Sequence, residues 1–148
     1  MKTLSKPSLL VKPTLDTRFS IDYSWWDRSS EDLRTYLLSH LLPEQRERLS
    51  TSEAGSVVDY IDPDTGEVSQ LDELNLALKI ASEDPQFINP QTSLVDSVFR
   101  VFLANGNQPL TPTELAERTG RSSSTILKTF SSTRIYKGIR PQIADDDE

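Results

Sequence analysis

The sequence predicts an α+β protein, mostly α, in which a small α/β N-terminal part is followed by a helical C-terminal unit. Three observations lead there. One stretch, Thr17 to Trp25, alternates apolar and polar residues, as a strand with one greasy face does. Later stretches carry apolar residues at helical spacing, opened by Ser, Thr or Asp and closed by Pro or Gly. The chain has 148 residues of which 35% are hydrophobic, enough for one modest core but not for two full domains.

The composition also narrows the chemistry. There is no Cys and the single His is His40, which excludes disulfide scaffolds, thiol nucleophiles, zinc fingers and iron–sulfur sites. No nucleophile–base pair or phosphate-cradling Gly loop is present, so the sequence predicts a non-enzymatic protein with no catalytic residues, no metal and no cofactor. Met1 to Thr14 carries Lys2, Lys6 and Lys12 but is interrupted by Pro7 and Pro13 and lacks the apolar run of a signal peptide. No stretch is long enough to span a bilayer, and the expected location is cytoplasmic, with no membrane partner.

Net charge is -7, but it reverses along the chain. Residues 1–110 hold 10 Lys and Arg against 17 Asp and Glu, whereas residues 111–140 hold six cations against Glu114 and Glu117. The tail Asp145 to Glu148 is wholly acidic. A basic segment inside an acidic protein makes a local electrostatic footprint, although a solvated surface gives the same count.

Four segments are expected in order. Residues 1–16 read as a flexible tail rich in Ser, Thr, Lys and Pro. Residues 17–90 form the α/β N-terminal part, opening with the aromatic strand and Trp25-Trp26 at its end. A helix then starts at Ser29 or Ser30 and carries Leu33, Tyr36, Leu37, His40 and Leu41 to Pro43, with His40 read as a hydrogen-bonded core residue rather than a ligand. A short helix at Glu44 to Leu49 is followed by a hairpin, Val57–Ile61 and Val68 onward, turning through Asp62-Pro63-Asp64-Thr65-Gly66. Asp62, Asp64 and Glu73 fall at calcium-loop places one, three and twelve, but Glu67 stands where that loop needs glycine, which favours a plain turn. A helix from Asp72 or Glu73 runs to Pro85, and a nearly all-apolar one, Leu94 to Leu103, serves as core helix or self-association surface.

The sharpest signal begins at Leu110. Thr111 can cap a helix with Pro112 at its first position and Glu114 completing a capping box. Leu115 and Ala116 are expected to face inward, Gly120 suits a left-handed turn between helices, and Ile126 anchors a second helix onto the first. This spacing resembles the helix-turn-helix superfamily. The preceding apolar helix, and a hairpin expected at Ile135 to Arg140 with Lys137-Gly138 as its turn, resemble the winged-helix branch over about residues 91–141. Arg121 stands where that family usually has an apolar side chain, and Thr129 where another core side chain is expected. Residues 142–148 complete the chain as an acidic tail.

The resemblance implies a DNA-binding regulator or DNA-associated accessory protein, with duplex DNA as partner. Its second helix would lie in the major groove, bringing Arg121, Ser122, Ser123, Ser124, Thr125 and Lys128 to the duplex, and its wing would place Arg134, Lys137 and Arg140 on phosphates. Hydroxyls and a Lys suit phosphate better than base edges, and Arg121 is the residue able to read a base bidentately. The alternative is a protein-interaction subunit of a larger complex, or a homodimer, using the same unit for packing. The acidic tail is expected to compete for the same cations.

Overall fold

The structure, a computed structural model, describes residues 12–51 and 57–142. The acidic tail beyond Gln142, and residues 1–11 of the expected flexible tail, lie outside the described residues. Those described are mostly helical, with two small two-stranded antiparallel sheets. The chain divides into two compact units, residues 30–87 and residues 1–29 together with 88–148. This corrects the expected boundaries. Residues 17–29 do not belong to the N-terminal part but complete the C-terminal unit, because their strand finds its backbone partners there.

The unit at 30–87 contains α2 (Leu33–Leu38), α3 (Pro43–Thr51), β2 (Val57–Ile61), β3 (Val68–Asp72) and α4 (Glu73–Ser82). Asp32, rather than a serine, caps α2, accepting from the Thr35 N–H at 3.0 Å. The helix stops at Leu38, so His40 and Leu41 lie past its end, yet both are buried. The Tyr36 ring meets His40 edge-on at 4.6 Å. β2 and β3 pair from Val57↔Asp72 to Ile61↔Val68. The Asp62 carboxylate accepts the Asp64 and Thr65 N–H groups, and Gly66 takes φ 76°, so this segment is a self-contained turn. Among the described residues no group of three or more acidic or His side chains is placed to hold a metal. Leu74, Ala77 and Leu78 of α4 are buried with Leu37, Leu49 and Phe87.

The other unit contains β1 (Phe19–Ile21), α1 (Tyr23–Arg28), α5 (Leu94–Ala104), α6 (Pro112–Thr119), α7 (Ser123–Phe130) and β4 (Ile139–Pro141). The aromatic strand is shorter than its alternation predicts. Asp22 accepts from the Ser24 N–H and hydroxyl and starts α1, because a local cap forms without any distant partner. Trp26, not Trp25, is then the buried one. It stands edge-on to Phe99 at 6.3 Å and donates its Nε1–H to the Lys137 carbonyl at 3.1 Å. α5 is the core helix, with Ser97, Val98, Phe99, Val101 and Phe102 buried.

β1 is flanked on both sides. Phe19 exchanges backbone hydrogen bonds with Leu110 at 2.8 and 3.0 Å, and its other edge pairs antiparallel with β4 in the register Phe19↔Pro141, Ser20↔Arg140, Ile21↔Ile139. The hairpin expected over Ile135 to Arg140 is therefore corrected. Lys137 and Gly138 do form its turn, at φ 58° and 81°, with the Ile139 N–H on the Tyr136 carbonyl. Residues before the turn form no strand, and the strand after it pairs with β1, burying Phe19, Ile21 and Ile139 together in this unit's core.

Candidate nucleic-acid interface

The Thr111 hydroxyl accepts from the Glu114 N–H at 3.2 Å while the Glu114 carboxylate accepts from the Thr111 N–H at 2.8 Å, closing the capping box that starts α6. That backbone N–H is the main cause holding the Glu114 carboxyl below its usual pKa range, with Arg18 and Arg118 adding to it. Gly120 ends α6 at φ 73°, left-handed as a tight inter-helix turn requires. Ser122 then caps α7, its hydroxyl accepting from the Thr125 N–H at 3.3 Å.

Leu115, Ile126 and Phe130 are buried, so α7 turns its inner face toward the core; Ala116 is only half-buried. The opposite face of α7 carries Ser124, Thr125, Lys128 and, at its end, Ser131, all exposed. At 100° per residue these four lie on one side of the helix. The face offers hydroxyls and one cation, and no side chain able to form a bidentate pair with a base.

The sequence-predicted residues separate into two groups. Ser124, Thr125, Lys128 and Arg134 are exposed, with Arg134 over the Tyr136 ring at 5.1 Å. Ser123 is half-buried, and the Ser122 hydroxyl serves the cap and lies 3.0 Å from that of Ser124. The other group is engaged within the protein. The Arg121 guanidinium donates to the Thr92 carbonyl and, at 3.4 Å, to the Pro90 carbonyl, which explains a cation at a place where the resemblance calls for an apolar side chain. Arg140 pairs with the Asp22 carboxylate at 3.0 Å. Lys137 lies half-buried in the left-handed turn, and its carbonyl holds Trp26.

Two exposed cations that act on Glu114 in the first turn of α6 stand outside the sequence-predicted site. Arg118 lies on α6, and Arg18, immediately before β1, lies close enough to Glu114 to act on its carboxyl. Arg118 sits four residues from Glu114 on one helix, a spacing that was readable; Arg18 reaches α6 only through the pairing of Phe19 with Leu110. No helix among the described residues is long and apolar enough to cross a membrane. Compared with known proteins, the chain matches no family model, no curated protein sequence and no solved structure.

Proposed function

We propose that the chain is a non-enzymatic, cytoplasmic DNA-binding accessory protein of winged-helix type, which lays α7 against duplex DNA and holds it through phosphates rather than base edges. The observation that carries this reading is the outward face of α7, where Ser124, Thr125 and Lys128 stand exposed on a helix capped at Ser122 and anchored beneath by Ile126 and Phe130. Arg118 and Arg134 extend the cationic surface of the same unit. The charge distribution supports it. Residues 30–87 hold 13 acids against 4 cations, while the unit containing α6 and α7 holds 12 cations against 10 acids, four of them in Asp145–Glu148. The acidity of the whole chain is thus concentrated in the other unit.

With Arg121 bound to backbone carbonyls, sequence selectivity is low and affinity is set by counterion release. Fluorescence anisotropy with two unrelated short duplexes tests this. Both are expected to bind at low ionic strength with similar affinity, falling steeply as salt rises. A protein-interaction role in a larger complex is the second reading, favoured by the internal use of Arg121 and Arg140. Absence of binding to either duplex at low salt would select it.

A further inference from the structure

β2 and β3 form a two-stranded sheet, and among the described residues neither strand pairs with a third. Alternation along β2 separates its side chains. Tyr60 faces α4, whose Lys79 ammonium stands 5.0 Å from the ring centre, so Asp59 and Ile61 lie on the other face. Both are exposed, Ile61 at 63%, and so is its cross-strand partner Val68 at 60%. The backbone of the same residues turns outward. The Asp62 N–H donates to the Glu67 carbonyl at 2.8 Å, so Ile61 and Val68 form the neighbouring non-hydrogen-bonded pair of the ladder, and Asp59 is the next such residue on β2. In these pairs the N–H and C=O groups point away from the partner strand. The edge of β2 thus offers backbone donors and acceptors beside an apolar side chain left in water, which is a template for one more strand.

Charge selects the occupant. Residues 57–72 hold Asp59, Asp62, Asp64, Glu67 and Asp72 and no Lys or Arg, within a unit that holds 13 acids against 4 cations. The Asp62 carboxylate is engaged in the turn, whereas Asp59, Asp64 and Glu67 are exposed around Ile61 and Val68. A second copy would bring like charges together, and nucleic acid is repelled for the same reason. A foreign strand with an apolar side chain beside Ile61 and a cation two residues away beside Asp59 meets both requirements, because residues at that spacing share a face.

We propose that the outer edge of β2 docks an extended cationic segment of another protein, which adds a third strand to this sheet and sets an apolar residue on Ile61 and Lys or Arg on Asp59. Main-chain hydrogen bonds then supply affinity, and the two side-chain contacts supply selectivity. The surface is separate from α7 and does not depend on duplex binding.

The test is an amide NMR titration of the isotope-labelled full chain with the end-capped peptide Thr-Lys-Thr-Val-Thr-Lys-Thr, which reads the same in both directions and so permits either strand orientation. Shifts centred on residues 57–61, with affinity falling as salt rises, are expected. The same peptide with Ser in place of Val, or with Glu in place of both Lys, is expected to bind several-fold more weakly. On the protein, Ile61→Thr keeps a β-branched residue in the strand and should lose the preference for Val over Ser, while Asp59→Asn should flatten the salt dependence. Equal binding of the Val and Ser peptides, with shifts spread over the acids of residues 30–87, would overturn the proposal, since the surface is then merely acidic. Equal binding of the Lys and Glu peptides would overturn it too, and so would a titration without shifts at residues 57–61. Shifts there on raising the protein concentration alone would assign the edge to a second copy instead. Lys128→Gln is expected to weaken duplex binding and leave the peptide titration unchanged, so this proposal and the α7 reading fail separately.

Discussion

The side-chain amide of Asn107 holds both backbone polar groups of Ile21, its Oδ1 accepting the N–H at 2.8 Å and its Nδ2 donating to the carbonyl at 2.9 Å. Leu110 satisfies the same edge of β1 at Phe19, so Asn107 substitutes for the next residue of a strand. It does this from φ 62°, a left-handed conformation that asparagine tolerates better than most residues. A three-residue strand is thereby bonded on both sides.

Asn107→Ala leaves two part-buried backbone groups without partners and places alanine in a left-handed conformation. The expected cost is about 2–3 kcal/mol, read from denaturant melts. Asn107→Asp retains the acceptor for Ile21 N–H and should lose less. Should Asn107→Ala melt like the parent, β1 is held by packing of Phe19 and Ile21 alone.

Gly138 meets two constraints at once. Its φ is 81°, and a Cβ built there would lie 3.0 Å from both the Asp22 carbonyl oxygen and the Trp26 Nε1. The Asp22 contact is backbone and has no flexible end to move aside. Gly138→Ala is therefore expected to destabilise by about 2 kcal/mol or more, and to redshift Trp fluorescence as the Trp26 ring loses its seat on the Lys137 carbonyl. Gly120→Ala provides the contrast. That position shares the positive φ but has nothing within 4 Å, so it should cost only the conformational part, about 1 kcal/mol.

The helix pair α6–α7 was readable because each of its signals is local. Thr111 and Glu114 satisfy one another within a turn whose first residue is Pro112, Gly120 needs only its own φ, and Ser122 reaches Thr125. β1 and β4 were not readable as partners. Three residues carry little periodicity, Asp22 diverts the aromatic run into a helix, and Lys137-Gly138 specifies a turn without specifying which strand follows it to which edge. The same distance in sequence hid the use of two cations: Arg140 and Asp22 are 118 residues apart, and Arg121 reaches back 29 residues to Thr92. Composition alone shows an arginine; only the fold shows whether its guanidinium is already occupied.

Arg121 accordingly affects stability more than binding. Its guanidinium fastens the start of the inter-helix turn to the segment ahead of α5, and charged hydrogen bonds of this kind contribute about 1.5–3 kcal/mol. Arg121→Ala is expected to lower the melting midpoint by an amount in that range, while the folded fraction retains the salt slope of duplex binding. A slope reduced by about one, with the midpoint unchanged, would return Arg121 to the DNA-contacting set.

Asp22 links stability to pH. Its carboxyl is held below the ordinary aspartate value chiefly by the Ser24 hydroxyl; burial opposes this as the next largest effect, and the Ser24 N–H and Arg140 each add a smaller lowering. A pKa lower in the folded than in the unfolded state means that protonation favours unfolding. The stabilisation is complete above the unfolded value of about 3.9 and is lost as pH falls through the folded one. With both side chains of the Asp22–Arg140 pair about a third or more exposed, solvent screens the ionic part to about 1 kcal/mol or less. Asp32 and Glu114 are shifted in the same direction, so the parent alone cannot isolate Asp22. Asp22→Asn can, since asparagine keeps the cap of α1 but not the charge. Its stability should lie below the parent's at pH 7 and converge with it as the pH falls below the unfolded value of about 3.9 and through the lower folded one. A gap that stays constant from pH 7 to pH 3 would show that the carboxylate's charge contributes nothing, leaving its role to the cap geometry.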